Sequence, residues 1–206
     1  MSVKKIKTKV KVFLPSIILL FNIYSAFSQG EPKDYIDVPG TLMFDSLAYK
    51  LAWSSHPTAN YYKQEYLPKG GNIDSFSKMV FIDAILSDTL SLETAVDNKV
   101  SELKNRKTKD PVTNYKVFQN PEKTEYIVDF VVGEAVGGLL HIVEWNAYRY
   151  RRFTDIGGHK GVMLFGVSRR AYDNDINIFF SGLKSTRGKV INALINYNVP
   201  EIRIAK

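Results

Sequence analysis

The 206-residue sequence contains no cysteine. That one absence excludes disulfides, thiolate zinc sites, iron–sulfur clusters, a cysteine nucleophile and lipid attachment to an N-terminal cysteine. Histidine is nearly as scarce: His56, His141 and His159 are the three, too few for a histidine-rich metal cage. The short motifs of common chemistries are missing as well. There is no G-x-x-x-x-G-K-[ST] or G-x-G-x-x-G phosphate loop, no G-x-S-x-G elbow, no H-E-x-x-H and no S-x-x-K with its partners. Asp173-Asn174-Asp175-Ile176-Asn177 opens like a calcium loop, but Ile178 stands where a glycine is required and Lys184 where the closing glutamate belongs. Those acids read as the start of a helix, with Asp173 as its cap. No metal or other cofactor is expected.

Long apolar runs are also lacking. The one candidate, Val12 to Ile23, falls short of the ~20 residues a bilayer span needs, and Pro15 and Asn22 interrupt it. It follows Lys4, Lys5, Lys7, Lys9 and Lys11 and precedes Ser25-Ala26-Phe27-Ser28-Gln29. A basic start, a short apolar run and a small-residue end predict a secretory signal peptide over residues 1–28, cut after Ser28. The formal charge of +7 comes from 28 basic and 21 acidic side chains. Five of the 28 lie in the leader, so 23 remain against 21, a net charge of +2. The case for a nucleic-acid partner goes with the leader. The expected location is the periplasm or the medium, with no transmembrane segment once the leader is removed. The expected partner is an unknown protein or an anionic small ligand of the cell envelope.

What is present can build a core: 45% of residues are hydrophobic, including twelve phenylalanines and twelve tyrosines. After a polar lead-in at 29–40, residues 41–206 read as a single α+β domain. Strands are predicted over 41–53, 61–67, 112–118, 124–132, 139–153 and 162–172, with a loop at 54–60 around Pro57 and a break at 133–138. Residues 76–86 are apolar throughout and suit a buried strand or a short helix turning into one. A helix is predicted from Leu90 to Arg106, burying Leu92, Ala95, Val96, Val100 and Leu103. A second is predicted from Asn174 to Tyr197, burying Ile176, Phe180, Leu183, Val190, Ile191 and Leu194. The economical arrangement is one antiparallel sheet of about six strands with two helices packed on it.

Trp53, Pro57, the run Tyr61 to Leu67, Pro68-Lys69-Gly70, and then Phe76 and Met79, in an exported chain with this order of elements, resemble the family of PsbP, the photosystem accessory protein, and its bacterial PsbP-like relatives. The resemblance implies a PsbP-like sandwich and an accessory or binding role, and brings no catalytic motif with it.

The stretch His141 to Arg152 carries the most suggestive side chains. On a strand, His141, Val143, Trp145, Ala147, Arg149 and Arg151 share one face, and Ile142, Glu144, Asn146, Tyr148, Tyr150 and Arg152 the other. Arginine forks beside tyrosine planes can hold a carboxylate, phosphate or sulfate. The candidate ligand-binding residues are therefore Trp145, Tyr148, Arg149, Tyr150, Arg151 and Arg152, joined by Arg169 if the following hairpin is offset. In a simple hairpin Arg151 and Arg152 lie nearer Gly161 and Val162. The competing reading is a solvated strand whose arginines pair with Asp129, Glu134 or Glu144. The leading functional expectation is a non-catalytic binding or accessory protein. One alternative is an envelope hydrolase using His141 with Asp129 across the hairpin, or with Glu144. Another is a carrier of an apolar ligand held between sheet and helices.

Overall fold

The computed structural model describes residues 31–204 except Pro39; the expected signal peptide lies outside the described residues. Ten elements follow in order: β1 (Leu42–Phe44), β2 (Leu47–Thr58), β3 (Tyr61–Pro68), β4 (Lys78–Leu86), α1 (Leu92–Lys107), β5 (Asn114–Gln119), β6 (Glu125–Val136), β7 (Leu139–Thr154), β8 (Lys160–Tyr172) and α2 (Ile176–Asn196). The strands form one antiparallel sheet in the order β1-β2-β3-β4-β8-β7-β6-β5. It has eight strands, not about six.

The two added strands have local causes. The undecided segment around 76–86 is β4, placed between β3 and β8 and paired on both edges. A strand covered on both faces has no reason to alternate, which is why its apolar run suits a strand or a helix equally. The first predicted strand splits in two, because Asp45 and Ser46 both take positive φ and make a two-residue hairpin between Phe44 and Leu47. Further on, β2 continues through the predicted loop to Thr58. Beyond Tyr49 it pairs with β3 alone, and its pairing is irregular between Ser55 and Thr58. A sheet edge of that kind tolerates Pro57. The break expected at 133–138 narrows to Gly137–Gly138, both at positive φ.

The two helices lie on opposite faces of the sheet. Val80, Ile82, Trp145, Ala147, Met163, Phe165 and Val167 face α2, packing with Val190, Ile191 and Leu194. Met79, Phe81, Val128, Phe130, Tyr150 and Leu164 face α1, packing with Leu92, Ala95, Val96 and Leu103. Ser91 caps α1 by accepting the Thr94 N–H at 3.0 Å. Asp173 does not cap α2. It belongs to a single 3-10 turn ahead of the helix, and its carboxylate meets His141 instead. Phe180 is 37% exposed, and the half-buried Phe179 packs against the core in the place expected of Phe180.

The lead-in is not a loose polar segment. Ile36 and Val38 are buried in the α2-side core together with Val199, Ile202 and Ile204 from beyond α2. The Arg203 N–H donates to the Ile36 carbonyl at 2.8 Å, and Asp155 accepts the Ile204 N–H at 3.0 Å. No described helix is long and apolar enough to cross a membrane.

Candidate functional site

The even-numbered residues of β7 rise toward α1, and strand register decides what stands beside each. Glu144 lies opposite Arg170, Asn146 opposite Ser168, and Tyr148 opposite Gly166. Gly166 leaves room for the Phe81 ring, which a Cβ at that position would strike. Tyr148 then sits edge-on between Phe81 at 5.0 Å and Phe130 at 4.7 Å. On this face α1 contacts β5, β6 and β7. Between α1 and the loop carrying Ile73 and Phe76, a cleft of about 230 Å³ opens over β3, β4 and β8.

The cleft has a charged rim whose cations are already matched. Lys63 pairs with Glu65 at 2.8 Å and Lys99 with Glu102 at 2.8 Å. Arg170 Nε donates to Glu144 at 2.6 Å, while its guanidinium lies over Phe76. Arg106 donates to Asp110 and to the Gly133 carbonyl. Lys99 Nζ also stands over the Phe130 and Tyr148 rings, at 5.5 and 5.2 Å. Burial, with Glu144 nearby, pushes the Tyr148 phenol well above its ordinary value. It therefore stays protonated at neutral pH, a hydrogen-bond donor and not a base. Below the rim Asp83 is raised by burial, against the pull of Lys63, and accepts from the Tyr61 hydroxyl at 2.8 Å.

The floor holds the unmatched groups. Asn146 and Ser168 are 1% and 2% exposed, yet Asn146 Oδ1 and Ser168 Oγ have no hydrogen-bond partner among the described residues. Such an orphan costs about 1–3 kcal/mol when nothing satisfies it. Directly opposed residues have Cβ atoms ~5 Å apart, so one small molecule can reach both. Asn146 appears in sequence only as a polar residue inside an aromatic strand, and Ser168 has no local signal; their significance arises from pairing.

The residues expected to gather around an anion are distributed over two faces. Tyr148 and Tyr150 lie on the α1 face, Tyr148 in the cleft and Tyr150 buried opposite Tyr126. Arg152, on the same face, donates to the Leu90 carbonyl. Trp145, Arg149, Arg151 and Arg169 lie on the α2 face. Trp145 is core and donates to Asp129 at 2.7 Å. Arg149 grips Glu125 with two nitrogens and donates its third to the Leu194 and Tyr197 carbonyls at 2.9 Å, closing the C-terminal end of α2. Arg169 reaches Asp45 and Thr186. The hairpin is the simple one, with Arg151 opposite Met163 and Trp145 opposite Arg169. Six residues of strand, ~20 Å, thus separate the Arg169 and Arg151 ends. Of the expected cross-sheet pairs, Glu144 takes Arg170, but Glu125 and not Asp129 or Glu134 takes Arg149.

The expected pairings of His141 do not form. Asp129 is held by Trp145 and by Arg187 from α2, and Glu144 by Arg170. His141 Nδ1 instead meets Asp173 Oδ1 at 2.6 Å, with both side chains well exposed. A register irregularity beside His141, between Glu134 and Ala135 on β6, takes it off the regular ladder. His159 closes its loop against Asp155 at 2.9 Å, and His56 stacks on Tyr62.

No curated protein and no solved structure matches the chain. Residues 36–199, from the buried lead-in to the packed segment after α2, match the model of an uncharacterised protein family, and the chain belongs to that family.

Proposed function

We propose that this chain is an exported, non-catalytic binding protein that seats a small uncharged molecule, rich in N–H or O–H groups, in the cleft between α1 and the sheet. The carrying observation is the pair of buried, unsatisfied atoms on its floor, Asn146 Oδ1 and Ser168 Oγ. The rim supports an uncharged ligand, because Lys63, Lys99 and Arg170 each already hold a carboxylate. The volume, about 230 Å³, lies just under the usual range for drug-sized ligands and suits a monosaccharide or a single amino-acid derivative. Phe81, Tyr148 and Phe130 offer an apolar wall to the flat face of such a molecule. The PsbP-like resemblance of the opening region supports an accessory role and the finer PsbP-like reading of the fold. The lysine-rich start supports export. His141 stands outside the cleft with an exposed partner, so it lends nothing to a hydrolytic reading.

The site is tested by Asn146→Leu with Ser168→Ala. Removing both orphans is expected to raise stability by about 1–2 kcal/mol in the absence of ligand. The same variant should lose the changes in amide NMR signals that N-acetylglucosamine or glycinamide produces in the unmodified chain. A parent spectrum that ignores neutral probes of both kinds, or a double variant that responds as the parent does, ends the proposal. Export is tested separately: intact-mass analysis of the protein from its native cell should find Gln29 as the first residue, and a cytosolic pool retaining residues 1–28 would contradict it.

A further inference from the structure

On the opposite side of the molecule from the α1 cleft, the end of β7 and the segment after α2 enclose a recess of about 320 Å³, with Arg151, Thr154, Met163, Glu201 and Ile202 among its walls. Arg151 is the unusual group there. Arg106, Arg149, Arg169, Arg170, Arg187 and Arg203 each have a carboxylate within 4.0 Å. Arg151 and Arg152 have none among the described residues, but Arg152 donates to the Leu90 carbonyl at 2.8 Å. The hydrogen bond from Arg151 to the Val199 carbonyl is long, at 3.4 Å, and the Arg151 Nε is buried without a partner.

A guanidinium cannot escape this position by losing its proton at physiological pH. Burial disfavours its charge and the neighbouring Arg149 adds to that, while Glu125 and Glu201 act in the other direction from beyond ion-pair distance. The other charged groups of the recess do not neutralise it. Asp155 is spent on the Ile204 N–H and on His159. Arg152 turns to the other face, toward Leu90. Glu201 is exposed on the rim.

We infer that Arg151 forms an oxyanion subsite: the recess takes a carboxylate or phosphate group, held on the Arg151 fork. A charged donor satisfied by an anionic acceptor forms the stronger class of hydrogen bond, and the recess admits such a group without displacing a native ion pair. This subsite is independent of the neutral-ligand cleft, and either can fail without the other.

The experiment is a titration of the full mature chain with sodium phosphate and, separately, sodium acetate, at constant ionic strength set with chloride. The readout is the ¹⁵N and ¹H signal of Arg151 Nε, assigned by its loss in Arg151→Gln. A saturable shift with phosphate or acetate, absent with chloride, is expected, and the stronger of the two names the source chemistry. Glu201→Gln removes the rim carboxylate and should tighten binding about threefold. Arg151→Gln should weaken it about tenfold or more, measured by calorimetry. No shift with either anion, an equal shift with chloride, or unchanged affinity in Arg151→Gln would overturn the assignment. Should Arg151→Gln fold poorly, the Glu201→Gln comparison decides: affinity unaltered by loss of that exposed charge counts against the subsite.

Discussion

Gly161→Ala should be the most damaging single methyl that can be added to this protein. Gly161 is paired on both sides, with Leu86 of β4 and Phe153 of β7. A Cβ there would be driven into the Ile85 carbonyl and would also press the Phe153 ring. A side chain could rotate away, but the Ile85 carbonyl belongs to a strand paired on both sides and cannot move without opening that end of the β4–β8 ladder. The cost is expected to reach about 3 kcal/mol, the upper end for overpacking, and to appear as a lower denaturant midpoint with little change in slope. Gly182→Ala is the control. It lies inside α2 with open space where the Cβ would go, so it should gain about 0.5–1 kcal/mol from reduced backbone freedom in the unfolded chain. Equal stabilities for the two variants would show that the β4–β8 contact is looser than described.

The second large effect is expected at Asp129. Its side chain has no exposed surface and accepts from Trp145 Nε1 within the sheet and from the Arg187 guanidinium on α2. One carboxylate thereby fixes the indole and ties α2 to the sheet face it covers. Asp129→Ala strands a buried indole N–H and removes the partner of a half-buried arginine. A loss of about 3 kcal/mol follows, near the low end for breaking a buried pair because Arg187 can turn to water. Asp129→Asn can keep the Trp145 bond and should lose roughly half as much. Trp145 fluorescence during chemical unfolding reports the outcome, and an Asn variant as unstable as the Ala variant would assign the whole effect to Arg187.

These two positions also show which parts of the molecule could be read from its sequence. Alternation in the segment that became β7 placed its residues on the correct faces, because one side chain per pleat is a local rule. The residue Arg149 reaches for was not local. Its partners, Glu125 and the C-terminal carbonyls of α2, depend on which strand lies beside β7 and on where the helix ends. The pleat sends the members of the 149–152 cluster to opposite faces, as alternation alone predicts, but what each one meets there depends on non-local pairing. β4 was ambiguous because burial on both sides erased its periodicity. The buried ends carry no local signal, because Ile36 and Val38 are isolated among polar neighbours until the segment after α2 covers them. The Asn146–Ser168 pair is farther still from sequence, since an orphaned atom is defined by everything around it that fails to donate.

The clasp between residues 36–38 and 199–204 has a consequence for how the chain matures. Almost the whole described polypeptide lies between the two strips, so the patch that shields Ile36 emerges from the ribosome long after Ile36 itself. A partly synthesised molecule cannot seal its α2-side interior, and the energetic reward for closing that layer arrives late. The penalty for staying open is accordingly small until synthesis is nearly over.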